Sequence, residues 1–280
     1  MSAVRVSVFV QTLNEEANLP RCLQSVKWSD DIVVLDSLSS DHTVEIARDE
    51  GARVFQRAYD GRANNQNWAV ENIEFKYPWV WYVDADEVTT PELAQEILQI
   101  TSNPERPEVA YYVRRRNMLF GKWLKHGGQY NVWIARLWKP DNIRWKRGAN
   151  PVAMIDGPVG YLQNDFVHHF FSKGFHGWFE RHNKSSTYEA TENIKAITTG
   201  SIDWQGLVSS NPRRRRDALR RLSYHLPVRP LVLFLYMYFL KAGFLDGKAG
   251  FTIAMLKAIY EYEICLKIQE LRRREKGLLL

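Results

Sequence analysis

With 280 residues, 45% of them hydrophobic and 25% charged, the chain can fill a sizeable core in one large α/β domain with an appendage, which excludes a disordered protein. Its 38 lysines and arginines against 32 acids give a net charge of +6, suited to an anionic partner such as a nucleotide, a nucleic acid or a membrane surface. Two cysteines, Cys22 and Cys265, each in a helical amphipathic pattern, exclude a disulfide framework and point to a reducing compartment.

No basic segment followed by an apolar export region precedes the first strand, so the expected location is the cytoplasm. Apolar strand-like runs at 6–10, 32–35, 53–55 and 79–83 alternate with helical patterns at 17–26, 43–50 and 63–73. Alternation of that kind predicts a parallel, doubly wound sheet, whose ligands bind at the carboxyl ends of the strands. Residues 11–15 follow the first strand, 36–41 the second and Asp84-Ala85-Asp86 the fourth, so three polar or acidic clusters converge on one edge. No glycine-rich loop follows the first strand, which argues against a dinucleotide fingerprint or a P-loop.

The run Trp79-Val80-Trp81-Tyr82-Val83 reads as a strand covered on both faces that delivers carboxylates to the sheet edge. If Asp84 and Asp86 stay extended, they share one face roughly 7 Å apart and can hold a hard divalent cation, Mg2+ or Mn2+, whose shell substrate phosphates and waters complete. The alternative is a strand-ending turn whose acids start the next helix ahead of Thr89-Thr90-Pro91. Asp36 is placed to accept hydrogen bonds from a nucleobase or ribose, or else to form an Asx turn toward a cap at Asp41.

Four ordered motifs then carry a resemblance: residues 10–16 (VQTLNEE), 36–43 (DSLSSDHT), 65–69 (NQNWA) and 84–87 (DADE). Together they resemble family-2 glycosyltransferases of the GT-A fold, in the subgroup of lipopolysaccharide-core β-glucosyltransferases and exopolysaccharide enzymes. Lys125-His126-Gly127-Gly128, Arg136-Leu137, residues 157–162 and residues 243–247 extend the similarity over nearly the whole chain. The resemblance implies a nucleotide-sugar donor, with UDP expected, and a lipid-linked or lipopolysaccharide-type acceptor. It places Thr12, Glu15 and Asp36 around the nucleoside, Asn67 toward the donor, Asp84 on the ribose or metal, and Asp86 on the metal. Leu38 stands where the family usually has glycine and Asn65 where it has glutamine. Relatives often carry His-Glu-His at 150–152, where this chain reads Asn150-Pro151-Val152, so proline replaces the natural general base.

An inverting transfer needs a base for the acceptor hydroxyl, and the remaining local candidates are Asp156, Asp165, His168 and His169. His168 also qualifies as a metal or phosphate ligand, or as a strand histidine satisfied by hydrogen bonds, and Asp156 as a turn residue beside Gly157-Pro158. A helical pattern from Lys173 to Ile197 carries Arg181-His182-Asn183-Lys184, similar to the subgroup's acceptor-side motif. Arg114-Arg115-Arg116 and His126 are candidates to meet phosphate on a donor or lipid acceptor.

The expected division is a catalytic domain over 1–205, its nucleotide-sugar half about 1–110 and acceptor half about 111–205, and a basic helical region over 206–280. Arg213, Arg214, Arg215, Arg216, Arg220, Arg221 and Arg229 precede an apolar run at 230–240. As a helix, 231–245 reaches only about 22 Å against a hydrocarbon core of roughly 30 Å, so it is read as lying in the membrane interface, with a solvated helix packed on the catalytic domain as the alternative. The anionic leaflet is then the partner. Nucleic acid is not, since no base-reading module is recognisable. The rival readings are a nucleotidyltransferase, which should carry a Gly- and Arg-rich loop at 11–16, and a non-catalytic membrane scaffold suggested by Pro151.

Overall fold

The computed structural model describes residues 6–146, 151–199, 203–210, 214–215, 218–219, 222 and 228–280. Asn150, Arg213, Arg216, Arg220 and Arg221 lie outside the described residues. Two compact units form, one from residues 1–123 and 129–172, the other from 124–128 and 173–280. The division falls after Ser172 rather than near 205, because the long helix expected to close the catalytic domain packs with the C-terminal helices.

The first unit is built on strands β1 (Val6–Thr12), β2 (Ile32–Asp36), β3 (Arg53–Gln56), β4 (Trp79–Asp84), β5 (Glu87–Val88), β6 (Ala110–Leu119), β7 (Lys122–Trp123), β8 (Trp133–Trp138) and β11 (Val159–His168). Their order is β3-β2-β1-β4-β8-β6-β11-β5, with β7 paired to β6. The β1, β2, β3 and β4 pairings are parallel, β8 runs antiparallel to β4 and β6, and β11 runs parallel to β6. The carboxyl ends of β1, β2, β4, β6 and β11 therefore meet at one edge, as expected of a doubly wound sheet. A hairpin of β9 (Ile143–Lys146) and β10 (Val152–Ile155) stands beside the sheet as a second one.

Alternation along the central strands explains both cores. Val6, Val8, Val10, Trp81 and Val83 join Leu19, Cys22 and Leu23 of helix α1 (Leu19–Ser25), Ala47 of α2 (Thr43–Asp49) and Ile97 of α4 (Pro91–Thr101). Phe9, Leu35, Val80 and Tyr82 join Ala63 and Ala69 of α3 (Arg62–Asn72), with Trp138 and Trp145. A strand buried on both faces needs an apolar run without a polar side, and β4 supplies it. Thr90, not Asp84 or Asp86, caps α4 by accepting from the Leu93 N–H at 3.3 Å. Both cysteines are free.

The second unit contains α5 (Gly174–Thr199), α6 (Trp204–Leu207), α7 (Arg229–Leu235) with a π turn at Tyr236–Leu240, a 3-10 turn at Gly243–Asp246 and α8 (Gly247–Glu275). Ala190 of α5 packs with Ile264 and Ile268 of α8. The Arg229–Leu240 arm is bent 72° from the Gly243–Glu275 arm, and Ala242 turns the corner at φ +53°. Among the described residues no single helix is long and apolar enough to cross a membrane, while this bent pair passes that test jointly by length and composition. The apolar run thus breaks at Lys241-Ala242 instead of continuing as one helix to 245. Leu231, Leu235, Phe239, Leu240 and Leu245 are exposed, Leu240 by 79%.

Candidate active site

At the ends of β1 and β2 two loops brace each other. The Asn14 N–H donates to Ser39 Oγ, the Ser40 N–H to Asn14 Oδ1 and the Glu15 N–H to Thr43 Oγ1, at 2.7–2.8 Å. Asp36 is fully buried and accepts from Thr12 Oγ1, the Ser39 N–H, Ser39 Oγ and Gln56 Nε2. Four donors occupy both oxygens, so a nucleoside N–H would have to replace one of them. The carboxylate's observed work is to close the 36–39 loop, and Thr12 serves it rather than facing outward. Leu38 adopts φ +61°, the left-handed conformation natural to the glycine it replaces, and its side chain stands exposed.

Asp84 and Asp86 do not stay extended on one face. Ala85 and Asp86 form a turn between β4 and β5, closed where the Asp84 N–H donates to Glu87 Oε2 at 2.9 Å. The two acids therefore enter different surroundings. Asp84 Oδ1 accepts from Tyr82 Oη at 2.6 Å, and Oδ2 from Arg62 Nη2 at 2.5 Å and Arg136 Nη2 at 2.8 Å. Burial alone would raise this carboxyl, but the two guanidiniums overturn that and hold it well below the usual carboxylate range. The Asp84 carboxylate is thus already met by two positive charges within the protein.

Behind it Arg136 and Glu87 form an ion pair at 2.5 Å, with the side chains 2% and 1% exposed. The Arg136 guanidinium lies 4.4 Å from the Tyr82 ring centroid and 5.4 Å from that of Phe166. Burial pushes the Glu87 carboxyl up to about 7 against the pull of Arg136, with Asp84 adding to the rise.

Asp86 instead meets the end of β11. The register sets His168 beside Glu87 of β5 and Asn117 of β6, and His168 Nε2 stands 3.5 Å from Asp86 Oδ2. Asn117 Nδ2 donates to the Gln129 carbonyl at 3.0 Å, which turns its Oδ1 onto His168 Nδ1 at 2.8 Å. Nδ1 therefore carries a hydrogen, and Nε2 is the ring nitrogen turned toward Asp86. One carboxylate oxygen and one imidazole nitrogen fit a divalent transition ion such as Mn2+ better than Mg2+, which prefers oxygen alone. Among the described residues no group of three His, Cys, Asp or Glu side chains converges.

Three other expected site residues lie elsewhere. Asn67 is turned to β9, where its amide accepts from the Trp145 N–H at 2.8 Å and donates to the Trp145 carbonyl at 2.9 Å, an anchor between helix and hairpin rather than a donor contact. Asp165 is 2% exposed and receives Arg114 Nε at 2.9 Å, Arg116 Nε at 3.1 Å and Tyr130 Oη at 2.8 Å, so it is not a free general base. Asp156 sits in the turn before β11, whose nine steps from Val159 to His168 span roughly 30 Å, too far to serve the same reaction. Glu15 stays at the edge, its Oε2 accepting from Asn18 Nδ2 at 2.7 Å. In the second unit, His182 stacks on Trp178 at 3.7 Å and abuts Tyr260 at 4.7 Å, as a packing residue.

Arg62, Glu87, Asn117 and the role of Arg136 were missed. Arg136 had a readable signal: an arginine inside the run Trp133-Ile134-Ala135-Arg136-Leu137-Trp138 must find acids if that strand is buried.

A model of the family described as Glycosyl transferase family 2 matches residues 7–160, more than half of the chain. An uncharacterized glycosyltransferase of Rickettsia typhi is 24% identical over 291 residues, spanning 98% of this chain and 90% of that protein. The lipopolysaccharide core biosynthesis glycosyltransferase LpsC of Rhizobium meliloti is 24% identical over 286 residues, spanning 95% and 92%. Among solved structures, a mannosyltransferase from Pyrobaculum calidifontis in complex with GDP-Man and Mn2+ is similar with a TM-score of 0.48 at 16% identity, over 95% of this chain and 87% of that one. The mostly parallel sheet flanked by helices is GT-A-like, and the chain belongs to glycosyl transferase family 2 and is a glycosyltransferase.

Proposed function

We propose that the enzyme moves a hexose from a nucleotide sugar, with UDP the expected nucleotide, onto a lipid-linked or lipopolysaccharide-type glycan at the inner face of the cell membrane, with inversion. The observation that carries the donor half is the Asp86–His168 pair, in which Asn117 fixes the imidazole so that Nε2 faces a carboxylate on the edge where β1, β2 and β4 end. Asp86 and His168 would hold Mn2+ or Mg2+, which when bound offsets the charge of the departing diphosphate. The braced 12–15 and 36–39 loops form the nucleoside wall, and Asp84, fixed by Arg62 and Arg136, faces the ribose. The relative named for lipopolysaccharide core biosynthesis supports the acceptor class, and the exposed apolar side chains of the bent helix pair support the membrane. Inversion and UDP rest on the family resemblance.

Calorimetric titration of UDP with and without Mn2+, followed by a panel of UDP- and GDP-sugars, tests this reading. Asp86→Asn and His168→Gln should each weaken Mn2+-dependent UDP binding by about tenfold to a hundredfold, at unchanged metal-free affinity and melting temperature. Wild-type metal dependence in both variants would sink the assignment. NMR of the product's anomeric proton decides between inversion and retention.

A further inference from the structure

Asp165, set aside as a base, organises something else. Across three neighbouring strands Arg114 pairs in register with Asp165 of β11 and with Trp133 of β8. The Asp165 carboxylate, buried beneath, binds the Nε of both Arg114 and Arg116 and the Tyr130 hydroxyl. The Arg114 guanidinium lies 4.9 Å from the Trp133 ring centroid, and that of Arg116 4.9 Å from Trp123. With Nε held inward, the Nη ends turn away from the carboxylate. Arg114 Nη2 donates to the Gln163 carbonyl, but among the described residues Arg114 Nη1 and both Nη atoms of Arg116 make no hydrogen bond. Two guanidiniums over one carboxylate leave one positive charge in excess. Beside them Tyr161, 55% exposed, stacks on Tyr112 at 5.6 Å and meets the Trp133 edge at 5.0 Å.

We propose that this face is an acceptor subsite for a sugar bearing an anionic group, a phosphate or a carboxylate, in which Arg114 and Arg116 hold the anion, Tyr161 supports the ring and Asp165 positions the two guanidiniums. The proposal rests on the transferase reading above. An ordinary surface arginine loses rotamer freedom when it binds. Here the guanidiniums are already flattened on indoles and anchored by Nε, so little further ordering is needed, and the planar fork suits a bidentate anion. Exposed aromatic rings suit the apolar C–H face of a pyranose better than a polypeptide or a nucleobase-reading surface would require. Arg116 stands one residue before Asn117 and Asp165 three residues, roughly 10 Å of strand, before His168, so the arginines reach the same strand ends from the opposite face of the sheet.

The test titrates the full chain calorimetrically with mannose 6-phosphate, glucuronate and mannose, with Mn2+–UDP as a parallel ligand. Both anionic sugars should bind saturably and mannose at least about tenfold more weakly, the scale of a charge-assisted hydrogen bond. Arg114→Gln and Arg116→Gln should each cost a similar factor, Arg116→Lys should restore only part of it, and Asp165→Asn should weaken the anion without contacting it. All four should keep wild-type Mn2+–UDP affinity and wild-type co-sedimentation with phosphatidylglycerol vesicles. Equal binding of mannose, no saturable binding of either anion, or unchanged anion affinity in the glutamine variants would overturn the subsite. So would loss of vesicle binding in those variants at unchanged sugar affinity, which would give the arginines to lipid headgroups. Failure of Mn2+–UDP to bind the wild type counts against the donor reading alone, because the anion titrations are read independently of it.

Discussion

In the sheet unit a guanidinium and a carboxylate, Arg136 and Glu87, lie in the interior with Asp84 and Arg62 at their side. In the helical unit leucines and phenylalanines at 231, 235, 239, 240, 244 and 245 stand in the open. Each unit breaks the usual sorting of polar from apolar, in opposite directions, and each break marks work that folding alone does not need. A buried ion pair is weak support for stability, because desolvation offsets most of its attraction, yet it fixes geometry: Arg136 ties the last residue of β4 to the first of β5 and so sets the turn that presents Asp86. Exposed carbon, by contrast, gives nothing until another phase or surface covers it.

The sharpest way to break the comparison is Arg136→Ala. It leaves Glu87 buried without its cation and should cost about 3–5 kcal/mol in denaturant unfolding, whereas pairing Arg136→Met with Glu87→Gln should recover most of that loss. A cost below about 1 kcal/mol would mean that the interior charges are not coupled as described.

The opposite departure is tested by Phe239→Ser with Leu240→Ser. Since both side chains are exposed, unfolding free energy should hardly move, while partitioning onto anionic vesicles should fall by at least about a hundredfold if each inserts, at the 1.5–3 kcal/mol of each buried large apolar side chain. Unchanged co-sedimentation would remove the membrane from the proposal. The electrostatic share is separable, because it should vanish at high salt while the apolar share persists.

A smaller effect comes from His182, whose burial against Trp178 and Tyr260 pushes its pKa down to about 4 from 6.5. The unfolded chain then binds the extra proton first, so stability of the helical unit should be level above pH 6.5 and decline as pH falls toward 4. His182→Gln should flatten that part of the thermal-unfolding profile. A profile identical to wild type would place the pH sensitivity elsewhere.

The smallest expected effect is at Leu38. Leu38→Gly removes a side chain from a left-handed position and should change stability by no more than about 1 kcal/mol, in the stabilising direction. A loss above that would show the exposed leucine making a contact that matters.

Local pattern carried much of this. The alternating apolar runs fixed β1, β2 and β4, and the residues after each strand named the edge where Asp84, Asp86 and His168 are found. What stayed hidden depends on pairings between distant stretches. Asp165 reads as an available acid until β11 is registered against β6, some fifty residues away, which sets it between Arg114 and Arg116. Asn67 reads as a donor contact until the hairpin brings Trp145 to it, 78 residues on. Asp84 and Asp86 look equivalent until Glu87 closes the turn between them. In each case the residue type was legible and its partner was not, because charge and amide groups take their meaning from what faces them.

One connection has a practical bearing on any attempt to recombine this enzyme with its relatives. The helical unit does not begin at one cut, since it also owns the loop 124–128, where the His126 N–H and ring Nδ1 meet the Asp246 carboxylate at 2.8 and 2.9 Å and the Gly127 N–H donates to the Lys241 carbonyl. The elbow that receives this loop is so tight that a methyl at Gly250 would sit 1.9 Å from the Gly243 oxygen. A chimera exchanged only at 173 would therefore inherit a socket from one parent and its plug from the other. Transplantation requires two grafts, and the helical unit should keep its elbow intact only when both come from the same donor gene.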